Sequence, residues 1–313
     1  MTSLSSARPE FKMSPGCSSA DSIAELRRYI NDLTDLEAMQ VAIGIDIGGS
    51  PPLYLEKMIV VCLDTETYHR QPKMLTEIGI STFTRQDSQA ALDSPGPHSE
   101  KRCKGDPERN RFGQTRFVNK EQAIMVLEEI FAFSINGRDK SMLCPVVCLG
   151  HGVSRHLETL RDNLGFNIQN LGTIVRVVDI ETIDHDLAYS SWDQPVSLRT
   201  ICDGYYITAE NLYTAGNNAM YTAICAVRHA MGRDTAREAR KPMDEVVEEI
   251  AEHTKGVDQP VGKKNLCTRC GRFNHRIPQC KAVHVRCSTC AEKGFWRASK
   301  MHVDSVCPHK GWS

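Results

Sequence analysis

The chain has 313 residues, 41% of them hydrophobic and 25% charged, which suits one sizeable globular core with a small additional module. Its apolar runs stay well short of the roughly 18 residues of a transmembrane helix. The Ser- and Pro-rich segment 1–20 also lacks the apolar centre of a signal peptide. We therefore expect an intracellular protein, cytoplasmic or nuclear, without a membrane partner.

The net charge of −1 conceals two regions of opposite sign. Residues 261–313 contain 11 Lys or Arg and 2 acidic residues, giving +9, which leaves 27 basic and 37 acidic residues, or −10, for 1–260. A basic tail on an acidic body favours a polyanionic partner, because neutralising phosphates drives much of nucleic-acid affinity. A solvated linker end would have the same composition.

Hydrophobic periodicity predicts strands that alternate with helices. In chain order, we predict a helix over 21–33, strands over 57–63 and 77–83, a helix over 121–133, a strand over 144–149, a helix over 154–164, a strand over 173–178, and helices over 218–231 and 243–253. A polar stretch over 84–115 is predicted to be an inserted loop.

This alternation predicts an α/β domain. The predicted organisation is a disordered segment 1–20, an N-terminal helical segment 21–54, an α/β domain 55–231, a charged linker 232–264 and a zinc-binding tail 265–313.

Two carboxylates, Asp64 and Glu66, stand at the end of the first predicted strand in LDTETY. Residues two apart on a strand point to the same face, so both could bind one hard divalent cation such as Mg²⁺. The run TEIGI over 76–80 predicts the neighbouring strand. This context strengthens a spacing that is weak on its own.

Four sequence motifs occur in order: DTET, TEIGI, LGHGVSRHLETL over 149–160 and NLYTAGNNAMYTAICAV over 211–227. Together they resemble the DEDDh 3′–5′ exonuclease superfamily, and in particular the C-terminal domain of the fungal "good for full DEAD-box protein activity" family. The resemblance covers residues 55–231. It implies an RNase H-like fold, with a mixed sheet flanked by helices.

In that superfamily, four acidic residues hold two metal ions and a histidine activates the attacking water. The resemblance assigns Asp64 and Glu66 to two acidic positions, but puts His156 and Asn218 at the other two and Tyr213 at the histidine. With only these two carboxylates, the site charge falls from about −4 to about −2, so affinity for two Mg²⁺ falls steeply. A phenol with a pKa of about 10 is also a poor general base.

We therefore expect a degenerate, inactive exonuclease domain, a pseudoenzyme that binds nucleic acid. The alternative is an active Mg²⁺- or Mn²⁺-dependent exonuclease with atypical ligands. In neither case does the fold alone decide the ligand.

The tail carries two sets of zinc-ligand spacing. Cys267, Cys270, His275 and Cys280 follow C-x2-C-x4-H-x4-C, the pattern of a CCHC zinc knuckle. Cys287, Cys290, His302 and Cys307 follow C-x2-C-x11-H-x4-C, with His309 or His284 as possible substitutes for His302. We predict two structural zinc ions in tandem sites. A cross-braced arrangement of the eight ligands is the alternative.

Zinc knuckles bind single-stranded nucleic acid by stacking bases on exposed rings and by placing cations on the backbone. The candidate rings are Phe273 in the first site and Phe295 or Trp296 in the second, and the candidate cations are Arg269, Arg272 and Arg276. The rings could instead cover the metal loops, and the tail could instead bind proteins as an adaptor. We expect single-stranded nucleic acid, with RNA favoured.

Overall fold

The computed structural model describes residues 19–68, 74–85, 87, 109–135, 142–187, 196–232, 241–255, 261–307 and 309–310. The predicted disorder of 1–20 falls outside this range, except that Ser19 and Ala20 already belong to a helix. Most of the predicted loop 84–115 also lies outside the described residues.

A four-stranded mixed sheet forms the centre of the described chain. Its strands are β1 (Ile59–Thr67), β2 (Leu75–Thr84), β3 (Val146–Gly150) and β4 (Ile174–Asp179), in the order β2-β1-β3-β4. Strand β1 runs antiparallel to β2 and parallel to β3, and β3 runs parallel to β4. All four predicted strands are confirmed, but β1 continues through the DTET run instead of ending before it.

The described helices are α1 (Ser19–Asn31), α2 (Asp35–Ile43), α3 (Lys120–Phe131), α4 (Val153–Leu164), α5 (Ile180–Asp186), α6 (Leu198–Gly204), α7 (Ala215–Met231), α8 (Met243–Lys255) and α9 (Ser288–Glu292). Short 3-10 turns cover Leu53–Lys57, Ile168–Leu171, Ile277–Gln279, Ala298–Lys300 and Asp304–Val306. Helix α2 begins at a capping box between Thr34 and Glu37, and Gly44 ends it in the left-handed conformation.

The sheet is covered by helices on both faces because β1 alternates between two apolar clusters. Val60 and Cys62 belong to the cluster that contains buried residues of α1, α2, α7 and α8. Ile59, Val61 and Leu63 belong to the cluster that contains buried residues of α3 and α4. The predicted α/β class, a mixed sheet flanked by helices, is confirmed.

Helix α8 lies in the segment predicted as a charged linker, and the predicted helix over 243–253 is confirmed. Its residues Met243, Val246, Val247 and Ala251 are buried in the same core as the sheet. The described part of this segment therefore packs on the domain. Charge alone did not indicate this, because the acidic residues occupy the outer face of an amphipathic helix. The domain limits themselves stay a prediction.

Within the part of the chain that the structure describes, no helix combines the length and the apolarity that a membrane span requires.

Candidate functional site

Three carboxylates meet on one side of the sheet. Asp64 and Glu66 lie on β1, and Glu77 lies directly opposite Glu66 on the antiparallel strand β2. Asp64 is buried, with 7% of its surface exposed, whereas Glu66 and Glu77 are half-buried. An oxygen of Glu77, Oε2, accepts a hydrogen bond of 3.1 Å from the backbone amide of Ala215, at the start of α7.

The start of α7 reaches these carboxylates because it crosses β2 at a glycine. A Cβ atom on Gly79 would lie 1.9 Å from the carbonyl oxygen of Ala215, so no larger residue fits without displacing the helix. This close approach places the amide nitrogen Nδ2 of Asn218 3.3 Å from Oδ2 of Asp64 and 3.1 Å from Oε1 of Glu66. One neutral amide therefore bridges both carboxylates.

A neutral imidazole contacts the same aspartate from helix α4. The Nδ1 atom of His156 accepts a hydrogen bond from the backbone amide of Thr65 at 3.1 Å. Its Nε2 atom lies 3.0 Å from the carbonyl oxygen of His151 and 3.3 Å from Oδ1 of Asp64. Because the amide of Thr65 can only donate, Nδ1 is the acceptor and Nε2 carries the proton.

The electrostatics of the site favour neutral groups. Burial, followed by the charges of Glu66 and Glu77, raises the pKa of Asp64 well above its usual value, against the lowering effect of Asn218. Burial and the charge of Glu77 also raise the pKa of Glu66. Burial lowers the pKa of His156, which keeps the imidazole uncharged near neutral pH.

The donor set does not fit two hard divalent ions. Such a pair carries +4, while the site offers three carboxylates, one amide and one imidazole that prefers softer metals. The amide oxygen Oδ1 of Asn218 is buried and accepts no hydrogen bond from the described residues, while its nitrogen occupies the space between the two acids. We therefore derive no catalytic step through metal ions at this site.

The other candidate residues are exposed or hydrogen-bonded elsewhere. Tyr213, which stands where the resemblance expects the histidine, lies in the turn before α7 with 62% of its surface exposed. Asp179 accepts hydrogen bonds of 2.9 Å from the amides of Gly152 and Val153, so it supports the start of α4 instead of supplying a fourth carboxylate. His151 bonds through Nε2 to the carbonyl oxygen of Val196 at 2.7 Å.

The two cysteine–histidine sets of the tail converge as two separate groups. We call Cys267, Cys270, His275 and Cys280 the first metal group, and Cys287, Cys290, His302 and Cys307 the second metal group. In each, one ligand atom from every residue lies within 4.8 Å of the others. The four ligands of each group are consecutive in the sequence, so the cross-braced alternative is wrong. Neither His309 nor His284 belongs to a group, so His302 is the histidine of the second metal group.

The spacing of the ligand atoms fits a tetrahedral ion. Around zinc, with bonds of about 2.0–2.3 Å, neighbouring ligand atoms are roughly 3.5–3.8 Å apart. Sγ of Cys270 lies 3.4 Å from Nε2 of His275, and Sγ of Cys290 lies 3.6 Å from both Nε2 of His302 and Sγ of Cys307. Both groups could therefore hold zinc.

The surroundings of the ligand thiols shift their pKa values in both directions. Burial, and then the neighbouring thiols Cys307 and Cys287, raise the pKa of Cys290 to about 12. Burial acts to raise the pKa of Cys267 as well, but the backbone amides of Cys270 and Arg269 lower it to about 7. A bound divalent cation would relieve the mutual repulsion of the thiolates.

Asp304 braces the second metal group. Its carboxylate accepts hydrogen bonds from the backbone amides of Ser288 and Thr289 at 3.0 and 2.9 Å, and from the hydroxyls of both residues. These bonds lower its pKa. They tie the segment that follows Cys287 to the segment that precedes Cys307 across 16 residues of chain.

The candidate aromatic residues differ in exposure. Phe273 is 55% exposed and Trp296 is 67% exposed, so both rings could receive a base. Phe295 instead stacks on His309, with ring centroids 4.5 Å apart. His309 in turn meets the edge of the Tyr68 ring at 5.5 Å, just beyond the end of β1.

The candidate cations also divide by environment. Arg272 is exposed, and Arg269 is half-buried. Arg276 donates to the carbonyl oxygen of Lys264 at 2.9 Å and lies over the ring of Phe117 at 5.7 Å. Arg276 therefore has an evident role in attaching the first metal group to the domain.

Sequence reasoning missed Glu77 and Asp304. The signal for Glu77 was present in TEIGI, since an antiparallel neighbour of β1 could place its acidic residue beside Glu66. Asp304 gave no local signal, because its partners Ser288 and Thr289 are distant in sequence.

Residues 97–229 match the family described as DNA polymerase III subunit epsilon-like, C-terminal domain. The match includes α4 with His156 and α7 with Asn218, whereas Asp64 and Glu66 precede it. It supports a DEDDh exonuclease-like domain in this chain. None of the curated proteins matches the chain.

Proposed function

We propose that this protein binds single-stranded nucleic acid, with RNA favoured, through an exonuclease-type domain that has lost hydrolysis and a tail of two zinc knuckles. The observation that carries this proposal is the neutral bridge formed by Asn218 between Asp64 and Glu66. A hydrogen-bond donor holds the two acids together at the place where the superfamily needs cations.

The loss of hydrolysis is supported by the groups that replace acidic residues. His156 donates from Nε2 near Asp64 and is fixed by the amide of Thr65. Its imidazole therefore stabilises the structure around Asp64, Glu66 and Glu77, which we call the carboxylate site. Tyr213, at the position of the superfamily's histidine, is exposed in the turn before α7. In this proposal, His156 and Asn218 stabilise the carboxylate site and do not activate water.

Nucleic-acid binding is supported by the tail. Its two metal groups would each take a structural zinc ion, which would contribute folding energy to a module with little apolar core. Around them stand the exposed rings of Phe273 and Trp296 and a net charge of +9 over residues 261–313. Bases stack on such rings, and cations contact the phosphates.

We further infer kinship with the fungal "good for full DEAD-box protein activity" family, on the order of the four motifs from DTET to NLYTAGNNAMYTAICAV. The hypothesis of a nucleic-acid ligand, with RNA favoured, is motivated by the degenerate last motif together with the net charge of +9 over residues 261–313.

Glu77 favours a second candidate, an active exonuclease with atypical ligands. Its carboxylate raises the number of acidic residues at the carboxylate site from two to three, so the site has lost fewer acidic groups than the motifs alone indicate. The exposed Ile277, Val283 and Met301 of the tail favour a third candidate, a protein-binding adaptor.

The test uses purified full-length protein with 5′-labelled single-stranded RNA and DNA, in Mg²⁺ and in Mn²⁺. We expect salt-dependent binding with no shortening of the labelled strand. The Asp64→Ala variant is the matched control, since shortening that it abolishes would contradict the proposal and establish the active enzyme. Absence of binding to either strand would favour the adaptor.

A further inference from the structure

We infer that an open groove between the domain and the first metal group is a binding subsite for a nucleotide of a single-stranded nucleic acid. We call it the amide groove. Its amide and basic side chains come from Asn110, Gln114, Lys264, Asn265, Arg276 and Gln279, and its volume is about 640 Å³. The inference rests on the proposed function and names a site at which the ligand is held.

The volume and lining suit such a ligand. Binding sites for small molecules and cofactors commonly enclose about 300–1,000 Å³. The lining residues include four side-chain amides and two cations, and no carboxylate is among them. The four amide oxygens each already accept one hydrogen bond within the protein, from Phe112, Arg116 or Arg276, and each has a second lone pair beside the NH₂ donors. Such amides can read the edges of unpaired bases, while Lys264 can contact a phosphate.

The two walls of the groove are held in register by a short β-bridge. Phe117 and Lys263 exchange backbone hydrogen bonds of 3.0 and 2.9 Å. Gly262 permits this approach: its φ is +76°, and a Cβ atom there would lie 2.8 Å from the carbonyl oxygen of Phe117. The groove is therefore a built feature and not a chance gap beside a loose tail.

A basic side chain braces the tail wall. Nε of Arg276 donates to Oδ1 of Asn265 at 3.2 Å, and Nη2 donates to the carbonyl oxygen of Lys264. The ring of Phe117 lies beneath the guanidinium. This fixes three lining residues relative to one another before a ligand arrives, which reduces the ordering cost of binding.

The opposite wall of the groove is formed by the segment around Asn110, which packs against the first turn of α7. A Cβ atom on Gly216 would lie 2.9 Å from the amide group of Asn110. The side chain of Asn217 secures the same segment: its Oδ1 accepts from the amide of Arg111 at 2.7 Å, and its Nδ2 donates to the carbonyl oxygen of Arg109 at 3.0 Å. The next residue is Asn218, so this wall of the amide groove and the carboxylate site are connected through the first turn of α7.

The first experiment removes the amides without changing charge. We measure binding of the full-length, zinc-loaded protein to a fluorescein-labelled single-stranded RNA of mixed sequence, about 12 nucleotides long, by fluorescence anisotropy. The Gln114→Ala/Gln279→Ala double variant is expected to bind about tenfold more weakly. Gln169→Ala, an exposed amide outside the groove, is the control and should bind as the native protein does.

The second experiment separates the walls without removing any lining side chain. Gly262→Ala forces a Cβ atom against Phe117 and is expected to weaken binding about tenfold or more, with circular dichroism and zinc content unchanged. Gly165→Ala is the control, because Gly165 also has a positive φ of +73°, faces open space and lies at the end of α4, outside the tail. Weaker binding by the control as well would attribute the loss to backbone strain and overturn the inference.

The outcomes separate this inference from the proposed function. If the native protein binds RNA and Phe273→Ala weakens it while both groove variants bind normally, the amide groove is only a hydrated crevice and the proposed function stands. If the native protein binds no nucleic acid, both fail. Weakening by both groove variants, with both controls unaffected, establishes the subsite.

Discussion

The side-chain nitrogen of Asn218 lies 3.3 Å from Oδ2 of the buried Asp64 and 3.1 Å from Oε1 of Glu66. Burying a carboxylate is costly, and two neutral donors, the amide of Asn218 and the imidazole of His156, offset only part of that cost. The raised pKa of Asp64 follows from this imbalance, with burial as its largest cause.

Replacing Asn218 with aspartate tests the neutral bridge. Asn218→Asp removes two hydrogen bonds and adds a negative charge beside two others, so we expect a loss of about 2–4 kcal/mol in the free energy of unfolding in the presence of EDTA. Millimolar Mn²⁺ should recover part of it. Asn170→Asp, on an exposed turn, is the control, and equal stability of the two variants in a denaturant titration would contradict the role of the bridge.

Restoring the superfamily's residues tests the loss of hydrolysis. The triple variant His156→Asp, Tyr213→His and Asn218→Asp is expected to gain Mn²⁺-dependent shortening of 5′-labelled RNA from a native level of zero. The gain must disappear when Asp64→Ala is added. A native protein that is already active, and is unchanged or slowed by the triple substitution, would show that the atypical ligands are the functional ones.

The pH dependence of stability has a definite sign. Because the folded pKa of Asp64 is raised above its unfolded value of about 3.9, the folded state binds the proton more tightly, and stability falls as pH rises through this interval. Asp64→Asn removes that dependence, so its stability relative to the native protein should be greatest near pH 7 and shrink toward pH 4. Urea titrations at several pH values measure the difference. A difference that grows on acidification would contradict the assignment.

Gly79 tests how α7 is positioned. A methyl group there would collide with the backbone at Ala215, and we expect Gly79→Ala to cost about 2 kcal/mol or more, since the helix must move away from β2. Gly204→Ala, where the added carbon meets open space at the end of α6, is the matched control. Thermal unfolding distinguishes them. Equal melting temperatures would mean that the close approach carries no energetic weight.

Metal content tests the tail. We expect two zinc ions per chain by elemental analysis, both released by a strong chelator with loss of structure in the tail. Cys280→Ser and Cys290→Ser should each lower the content by one ion, because they belong to different groups. Loss of both ions in either single variant would mean that the two sites fold as one unit.

The strands and most helices could be predicted from periodicity, and the cysteine–histidine spacing correctly separated the two metal groups. Helices α2, α5, α6 and α9 were not predicted individually. In α2 the apolar side chains are distributed around most of the helix, so no single apolar face indicates it. Helix α8 was predicted, but its packing was not, since burial depends on the partner surface.

The residues that meet at the carboxylate site were harder to predict from the sequence. Glu66 and Asp64 could be paired from a spacing of two, which is a local property of a strand. Glu77 depends on the register between β1 and β2, and Asn218 depends on a helix that can approach only across Gly79. Such contacts arise from tertiary packing, which local sequence patterns predict only indirectly.

The β-bridge between Phe117 and Lys263 and the ring contact between Tyr68 and His309 attach the tail to the domain at two points. A tail attached in this way holds its exposed rings at a fixed distance from the carboxylate site. The tail and the domain could then bind the same single-stranded nucleic acid, with a high effective concentration for the second contact. For the nucleic-acid ligand that we propose, this arrangement predicts a minimum footprint, below which shortening an oligonucleotide should reduce its avidity abruptly.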